Sequence, residues 1–400
     1  MSDLLKKYSL QTAINASGSV TRLGGAPMPQ AVVDAMAEMA QHTVPLDVLQ
    51  GIACGAIASA TRTEAGLVTA GAAAGLTLGT AAILTRWNRL RMESLPDSTG
   101  FANEFVVSRE HRSGYDHAVR AAGAKLVEVG FNDIVSGAGV RRTEIWEYEA
   151  VFGEATAGVL YVLAPGSVPP LSQVVDLAHK HNLPVLVDAA AELPPRSNLT
   201  EIAATGADLV VFSGGKSIRG PQSSGILAGR RDLVGPAFVQ MMDLDEHPQL
   251  WMPPAELVDL QKLAGGPPRH GLGRGLKVSK ETIIGFLTAL DLFRSGIYDS
   301  EIARQRTVLE YIVGELQELA VSCTIEDPGD SESSPELEIV LDEAAIGQTA
   351  FEVCRRLREG NPSIYPGHAR LAQGALLIHP LHLDEQAGKE ISRRLTEVIG

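Results

Sequence analysis

Asp208-Leu-Val-Val-Phe-Ser-Gly-Gly-Lys216-Ser-Ile-Arg-Gly-Pro-Gln222-Ser-Ser-Gly225 is an apolar run that breaks into two glycines, presents a lysine and turns back at Gly-Pro. Asp208–Phe212 has the length and β-branching of a buried strand. A lysine at such a strand's end sits beside backbone that strips it of water. Desolvation lowers an amine's pKa and frees its lone pair for Schiff-base chemistry. A solvated loop lysine reads the same way in isolation. A phosphate loop does not fit: Gly215-Lys216-Ser217 would need a glycine where Val210 stands.

Upstream, Leu183-Pro-Val-Leu-Val-Asp188-Ala-Ala-Ala is another apolar strand, ended by a carboxylate. Taken alone, Asp188 could equally cap the next helix. The ordered pair is more specific. Strand-Asp, helix, strand-Ser-Gly-Gly-Lys supplies both anchors of pyridoxal 5′-phosphate (PLP). The lysine takes the aldehyde, and the carboxylate keeps the pyridine nitrogen protonated so that the ring draws electrons. PLP is therefore the expected cofactor, on Lys216 and Asp188.

Two further segments fit that cofactor. In Val68-Thr-Ala-Gly71-Ala-Ala-Ala-Gly75 a strand enters a small-residue turn that opens a helix. Free N–H groups at Gly71, Ala72 and Ala73, with the helix dipole, would bind the cofactor phosphate, and Ser213 could add a hydroxyl. Gly71, Gly75 and Gly79 also lie four apart, which suits close helix packing. In Val107-Ser-Arg-Glu-His111-Arg112, His111 is the candidate for a flat group over the cofactor ring; a capping or loop histidine is the alternative.

The rest of the chain frames these motifs. Strands are expected at 66–68, 105–107, 125–128, 158–163, 184–187, 208–212 and 225–228, with helices at 72–83, 115–122, 171–179 and 199–204 between them. Strand-helix-strand repetition implies an α/β fold with a mostly parallel sheet covered on both faces. Ligands of such sheets sit beyond the strands' carboxyl ends. From about Ser279 long amphipathic helices (280–293, 300–319) lead into strands 322–325, 336–341 and 375–378 and helices 348–358 and 385–398, a small α+β domain. Three parts are expected: residues 1–45 packing on the active site, a large PLP-binding domain at 46–278, and a small domain at 279–400.

The 400 residues are 45% hydrophobic and 20% charged, enough for a large core, and the net charge is -14. So acidic a chain repels phosphate backbones, and no basic patch offsets this, so nucleic-acid binding is not expected. Cys54, Cys323 and Cys354 are scattered and odd in number, which argues against disulfides or a zinc site and for a reducing cytosol. No signal peptide is read at the N-terminus. Gly66 to Leu84 carries no charge, but its glycines and threonines suit a buried turn and helix rather than a membrane span.

These residues together resemble a fold-type I PLP-dependent transferase, aspartate aminotransferase-like. The closer resemblance is to the selenocysteine synthase group and its shorter relatives, the D-glucosaminate-6-phosphate ammonia-lyase family. Ile14-Asn-Ala-Ser-Gly18, Gly123-Ala-Lys-Leu-Val-Glu-Val-Gly130, Phe212-Ser-Gly-Gly-Lys216 and Gly271-Leu-Gly-Arg274-Gly-Leu-Lys277-Val-Ser-Lys280 carry it. The resemblance implies that Arg274 and Lys277 hold a substrate carboxylate or phosphate, with Arg22 or Arg370 assisting. Arg22 lies close to Gly25, which stands where selenocysteine synthases carry an arginine. The N-terminal region that serves their tRNA binding is not found here, so the small-molecule branch fits better. That branch carries different residues around Tyr365-Pro-Gly-His368-Ala-Arg370.

The expected reaction is a PLP-dependent lyase step on an amino acid or amino-sugar acid. Lys216 removes the Cα proton, a β-substituent leaves, and a 2-oxo acid and ammonia result. The rivals are a racemase or epimerase, with His368 or Tyr115 as second base, an aminoacyl-tRNA selenium transferase, and a non-catalytic PLP-binding protein. The resemblance implies a cytoplasmic homodimer or higher homo-oligomer.

Overall fold

The computed structural model describes residues 3–131, 141–263 and 265–400. Strand β1 (Ala13–Ala16) runs parallel to Ser363–Pro366, from Ala13 beside Ser363 to Ala16 beside Pro366. That pairing places both ends of the chain in one compact unit, residues up to Pro27 with Ser295–Gly400. Met28–Arg294 form the other. These borders differ from the expected 45/46 and 278/279. The helices Gln30–Ala40 and Lys280–Ser295 explain the difference, because they pack on each other. Gly285 leaves room for Met36, whose Cγ would lie 2.6 Å from an added Cβ, and Lys280 Nζ donates to Met39 O at 2.7 Å.

The larger unit is built on seven strands: β2 (Ala65–Thr69), β3 (Glu104–Ser108), β4 (Lys125–Val129), β5 (Thr156–Val162), β6 (Val185–Asp188), β7 (Leu209–Ser213) and β8 (Gly225–Gly229). They lie in the order β2-β8-β7-β6-β5-β3-β4, and only β8 runs against its neighbours. The central strands are continuous Val/Leu/Ile runs, as a sheet buried on both faces requires. Every parallel strand therefore ends on the same edge, at Thr69, Ser108, Val129, Val162, Asp188 and Ser213.

The uncharged stretch at 66–84 is strand β2, a turn and the helix Ala72–Thr85. This helix is buried nearly all round, which removes the amphipathic signal and explains its membrane-like composition. Gly75 and Gly79 let it approach the sheet: an added Cβ would meet Val211 Cγ1 and Leu186 Cδ1, each at 3.0 Å. Among the described residues no helix is long and apolar enough to cross a membrane. The helix Arg231–Met241 is not expected from the sequence, because Gly235-Pro236 reads as a breaker. Its buried face from Leu233 to Met241 overrides that local preference.

In the smaller unit β9 (Val321–Glu326), β10 (Glu336–Leu341) and β12 (Ala375–Ile378) form an antiparallel sheet in the order β12-β10-β9, while β11 is Ser363–Pro366. Leu337, Ile339 and Ile378 share a core with Leu309, Ile312, Leu357 and Leu395 of its helices. The helix expected at 300–319 is shorter: a 3₁₀ turn Ile297–Glu301 leads into Ile302–Glu315.

Candidate active site

Asp188 and Lys216 belong to neighbouring strand ends. Asp188 closes β6 and pairs with Val211 of β7, and Lys216 follows β7 by three residues. Asp188 is 7% exposed, and its Oδ1 accepts the Ala190 N–H at 3.0 Å. Burial pushes its carboxyl above the usual range, opposed by that N–H and by Lys216. Burial likewise lowers the Lys216 amine, opposed by Asp188 and Glu192. The two groups thus sense each other in a desolvated site.

The loop that presents Lys216 is closed on itself. Gly214 N donates to Ser224 O and Gly220 N to Gly214 O, both at 2.8 Å. A Cβ on Gly215 would lie 2.6 Å from Gln222 Cα, so the glycine pair is needed for this crossing. Ser217 Oγ donates to Leu193 O at 2.6 Å, tying the lysine loop to the segment that follows Asp188.

Gly225 joins the lysine strand to the glycine turn. It pairs with Ser213 on one side and Thr69 on the other. Gly71 caps the helix Ala72–Thr85 at φ 92°, a left-handed conformation that glycine adopts without strain. Thr69 Oγ1 donates to Gly71 O at 2.9 Å and fixes the turn. The first N–H groups of the helix have no partner within it. An added Cβ on Gly225 would stand 2.7 Å from Gly71 C and 2.8 Å from Ala72 N. Gly225→Ala is therefore expected to push this turn out of place. Cofactor affinity should fall about tenfold or more, with about 1–3 kcal/mol lost in stability. Titrating cofactor-free protein with PLP, and urea unfolding, measure the two.

His111 follows β3 in the short turn Arg109–His111 and is 5% exposed. Its ring meets Tyr161 edge-on, with centroids 4.5 Å apart, and neither ring nitrogen has a hydrogen-bond partner. Burial lowers its pKa from the usual 6.5 to about 4, so the ring is neutral. Unfolded chains take up this proton near pH 6.5 and folded ones only near 4, so the associated stability is present above 6.5 and lost as pH falls. Urea unfolding of the cofactor-free protein at pH 7 and pH 5 should show about 2 kcal/mol lost through this residue, absent in His111→Phe.

The basic candidates fall in different places. Arg274 and Lys277 line a cavity of about 560 Å³ with Leu46, Gln50 and Met241, and Arg274 pairs with Asp243. Gln50 braces the end of β2 by bonding Val68 at 2.9 and 3.2 Å. The structure does not bring Lys216, Asp188 or His111 to that lining. Arg22 and Arg370 belong to the smaller unit. Arg370 Nη1 donates to Glu326 at 2.9 Å and Glu338 at 2.6 Å. A substrate acid would have to compete with both carboxylates for this guanidinium.

Glu192 escapes the sequence reading. Its backbone is held by Ala189 O and by the Asn198 side chain, and its half-buried carboxyl is raised by desolvation while sensing Lys216 and Asp188. Nothing in Asp188-Ala-Ala-Ala-Glu192 separates it from a solvated acid; the turn that folds it back is what counts.

PLP fits this set of groups: an anion cradle, a desolvated amine, a buried carboxylate and a neutral ring whose nitrogens are unpartnered. The fold is the aspartate aminotransferase-like α/β fold of fold-type I PLP-dependent enzymes, and PLP is its cofactor. The aminotransferase class-V family model matches residues 114–243. Over its length the chain is similar to D-glucosaminate-6-phosphate ammonia lyase of Salmonella typhimurium (strain 14028s / SGSC 2262), 27% identical, with 99% of this chain and 98% of the relative covered. A solved structure titled D-glucosaminate-6-phosphate ammonia-lyase matches with a TM-score of 0.80, at 27% identity over 100% of this chain and 98% of that one. The 5'-C-glycyluridine monooxygenase-decarboxylase of Streptomyces sp is also 27% identical, covering 96% of this chain and 89% of its own. An L-seryl-tRNA(Sec) selenium transferase of Desulfovibrio desulfuricans (strain ATCC 27774 / DSM 6949 / MB) matches only 28% of this chain and 25% of its own, at 32% identity.

Proposed function

We propose that the protein is an ammonia-lyase that eliminates a β-substituent from an amino acid or amino-sugar acid and releases a 2-oxo acid and ammonia. The observation that carries this reading is the desolvated Lys216 amine beside Asp188 at one edge of the sheet. Full-length similarity to an ammonia-lyase supports the reaction class.

PLP supplies an electrophilic, electron-withdrawing ring that acidifies the substrate Cα–H. Gly71, Ala72, Ala73 and Ser213 would hold its phosphate, His111 would cover its ring and Asp188 would hold its nitrogen. Lys216 would anchor it and would be the group that takes the Cα proton. The depressed pKa of Lys216 keeps a fraction of the amine neutral, the form that accepts a proton. Arg274 and Lys277 would take the acid groups of the substrate. Because Arg274 is held by Asp243, its use requires exchange of that carboxylate for the ligand's. A cytoplasmic homo-oligomer, a homodimer at least, completes the proposal; sedimentation of the cofactor-loaded protein tests the assembly.

The test is a panel of D- and L-hydroxy-amino acids and amino-sugar acids, followed by ammonia and 2-oxo acid. Proportional release of both supports elimination. Deuterium uptake at Cα from heavy water without ammonia would instead identify a racemase. The monooxygenase-decarboxylase relative motivates a further arm: oxygen uptake with carbon dioxide release would replace the lyase reading.

A further inference from the structure

In the smaller unit, three positive or protonatable side chains meet without a carboxylate. Arg22, in the turn Thr21–Leu23, reaches Ser17 Oγ at 3.3 Å and His368 Nδ1 at 3.4 Å. Arg358 ends the helix Ala350–Glu359, and its guanidinium lies 5.4 Å from the centre of the Tyr365 ring. Ser17 Oγ donates to Tyr365 O at 2.8 Å, which ties the turn that carries Arg22 to β11 and its continuation at His368. Burial and then the two arginines hold the His368 imidazole below its usual range. Both guanidinia also act on the buried Cys354 thiol. Arg358 Nε is shielded from solvent and has no hydrogen-bond partner.

Several other arginines of this unit have carboxylate partners. Arg306 meets Asp327, Arg370 meets Glu326 and Glu338, and Arg393 meets Glu390 and Glu397. Among the described residues, no ion pair is formed by Arg22, Arg358 or His368. Like charges gathered this way repel, and the repulsion is relieved when an anion enters. Guanidinium forks suit the paired oxygens of a carboxylate or phosphoryl group, and the contact with Tyr365 restrains where Arg358 points.

We propose that Arg22, Arg358 and His368 form an oxyanion-binding subsite for a small acidic ligand that bears a carboxylate or a phosphoryl group. Its assignment to the substrate's own acid group rests on the function proposed above; the subsite itself does not. Arg358 was hidden in the sequence because Cys354-Arg-Arg-Leu-Arg358-Glu reads as a solvated helix face.

Calorimetric titration of the cofactor-loaded protein tests it, with inorganic phosphate and, separately, D-gluconate in low-salt buffer. The loaded protein has its Gly71 cradle filled, so added anion reports another site. One anion should bind saturably. Arg358→Met and Arg22→Met should each weaken binding at least tenfold and Arg358→Lys by less, while Arg306→Met leaves it unchanged. Thermal midpoints confirm that each variant is folded, and Arg22 lies on the surface, where truncation is tolerated. Saturation by phosphate alone assigns a phosphoryl ligand, and saturation by gluconate assigns a carboxylate. No saturable heat with either, or wild-type binding by both methionine variants, overturns the subsite. Ammonia release without anion binding rejects the subsite alone. Anion binding without ammonia release rejects the reaction alone.

Discussion

Lys216→Ala is expected to lower turnover by about 10⁴-fold, the upper end of what a positioned proton-transfer group contributes. It should also remove the visible absorbance of the bound cofactor. The reason lies in the loop. Gly214 and Gly215 cross beneath Ser224 and Gln222, and Ser217 is anchored to Leu193, so the amine is held at the edge where β6 and β7 end. Of the other lysines named with it, Lys277 and Lys280 line the cavity that holds Arg274, and Lys280 is engaged by Met39 O and Glu281. The substitution leaves the loop's closing bonds in place, because they run through the backbone of Gly214, Gly220 and Ser224 and through Ser217 Oγ rather than the Lys216 side chain. Thermal unfolding of the cofactor-free variant should therefore match the wild type. Partial recovery of turnover by a small primary amine in the vacated space would separate lost chemistry from lost structure.

Asp188→Asn carries the second large effect. The substitution keeps size and shape but removes the negative charge that faces the cofactor nitrogen. Losing one preorganised electrostatic partner costs about 10²–10³ in turnover, and the variant should lose cofactor faster on dialysis. The same change removes the charge that opposes desolvation at Lys216. Its amine pKa should fall further, so the acidic limb of the rate profile, where the amine must lose its proton before it can act as a base, moves to lower pH. A pH–rate comparison of wild type and variant checks the direction. The reciprocal holds in Lys216→Ala, where Asp188 loses a group that lowers its pKa and its carboxyl rises.

The lysine loop and Asp188 were legible because their chemistry is local. A β-branched run, two glycines and a charged residue at the strand end are all adjacent in sequence, and the strands of the main sheet appear within a residue or two of where their patterns put them. The Gly71 turn was legible for the same reason. What escaped depends on distant partners. Gly225 matters because it lies between Thr69 and Ser213, and no periodicity reports that pairing. Glu192 and Arg358 look like solvated charges until a turn or a second strand brings them to their neighbours. Arg370 looked free until β9 and β10 delivered two carboxylates to it. The pairing of β1 with β11 links the two ends of the sequence, a contact that no local pattern reports.

The cofactor is expected to be covalently attached through Lys216. Borohydride reduction of the purified protein, followed by digestion and mass mapping, reads the attachment directly. One pyridoxyl group per chain on the peptide that contains Lys216 is the predicted result. Label on any other lysine, or a reduced protein that carries none after loading with PLP, would contradict it.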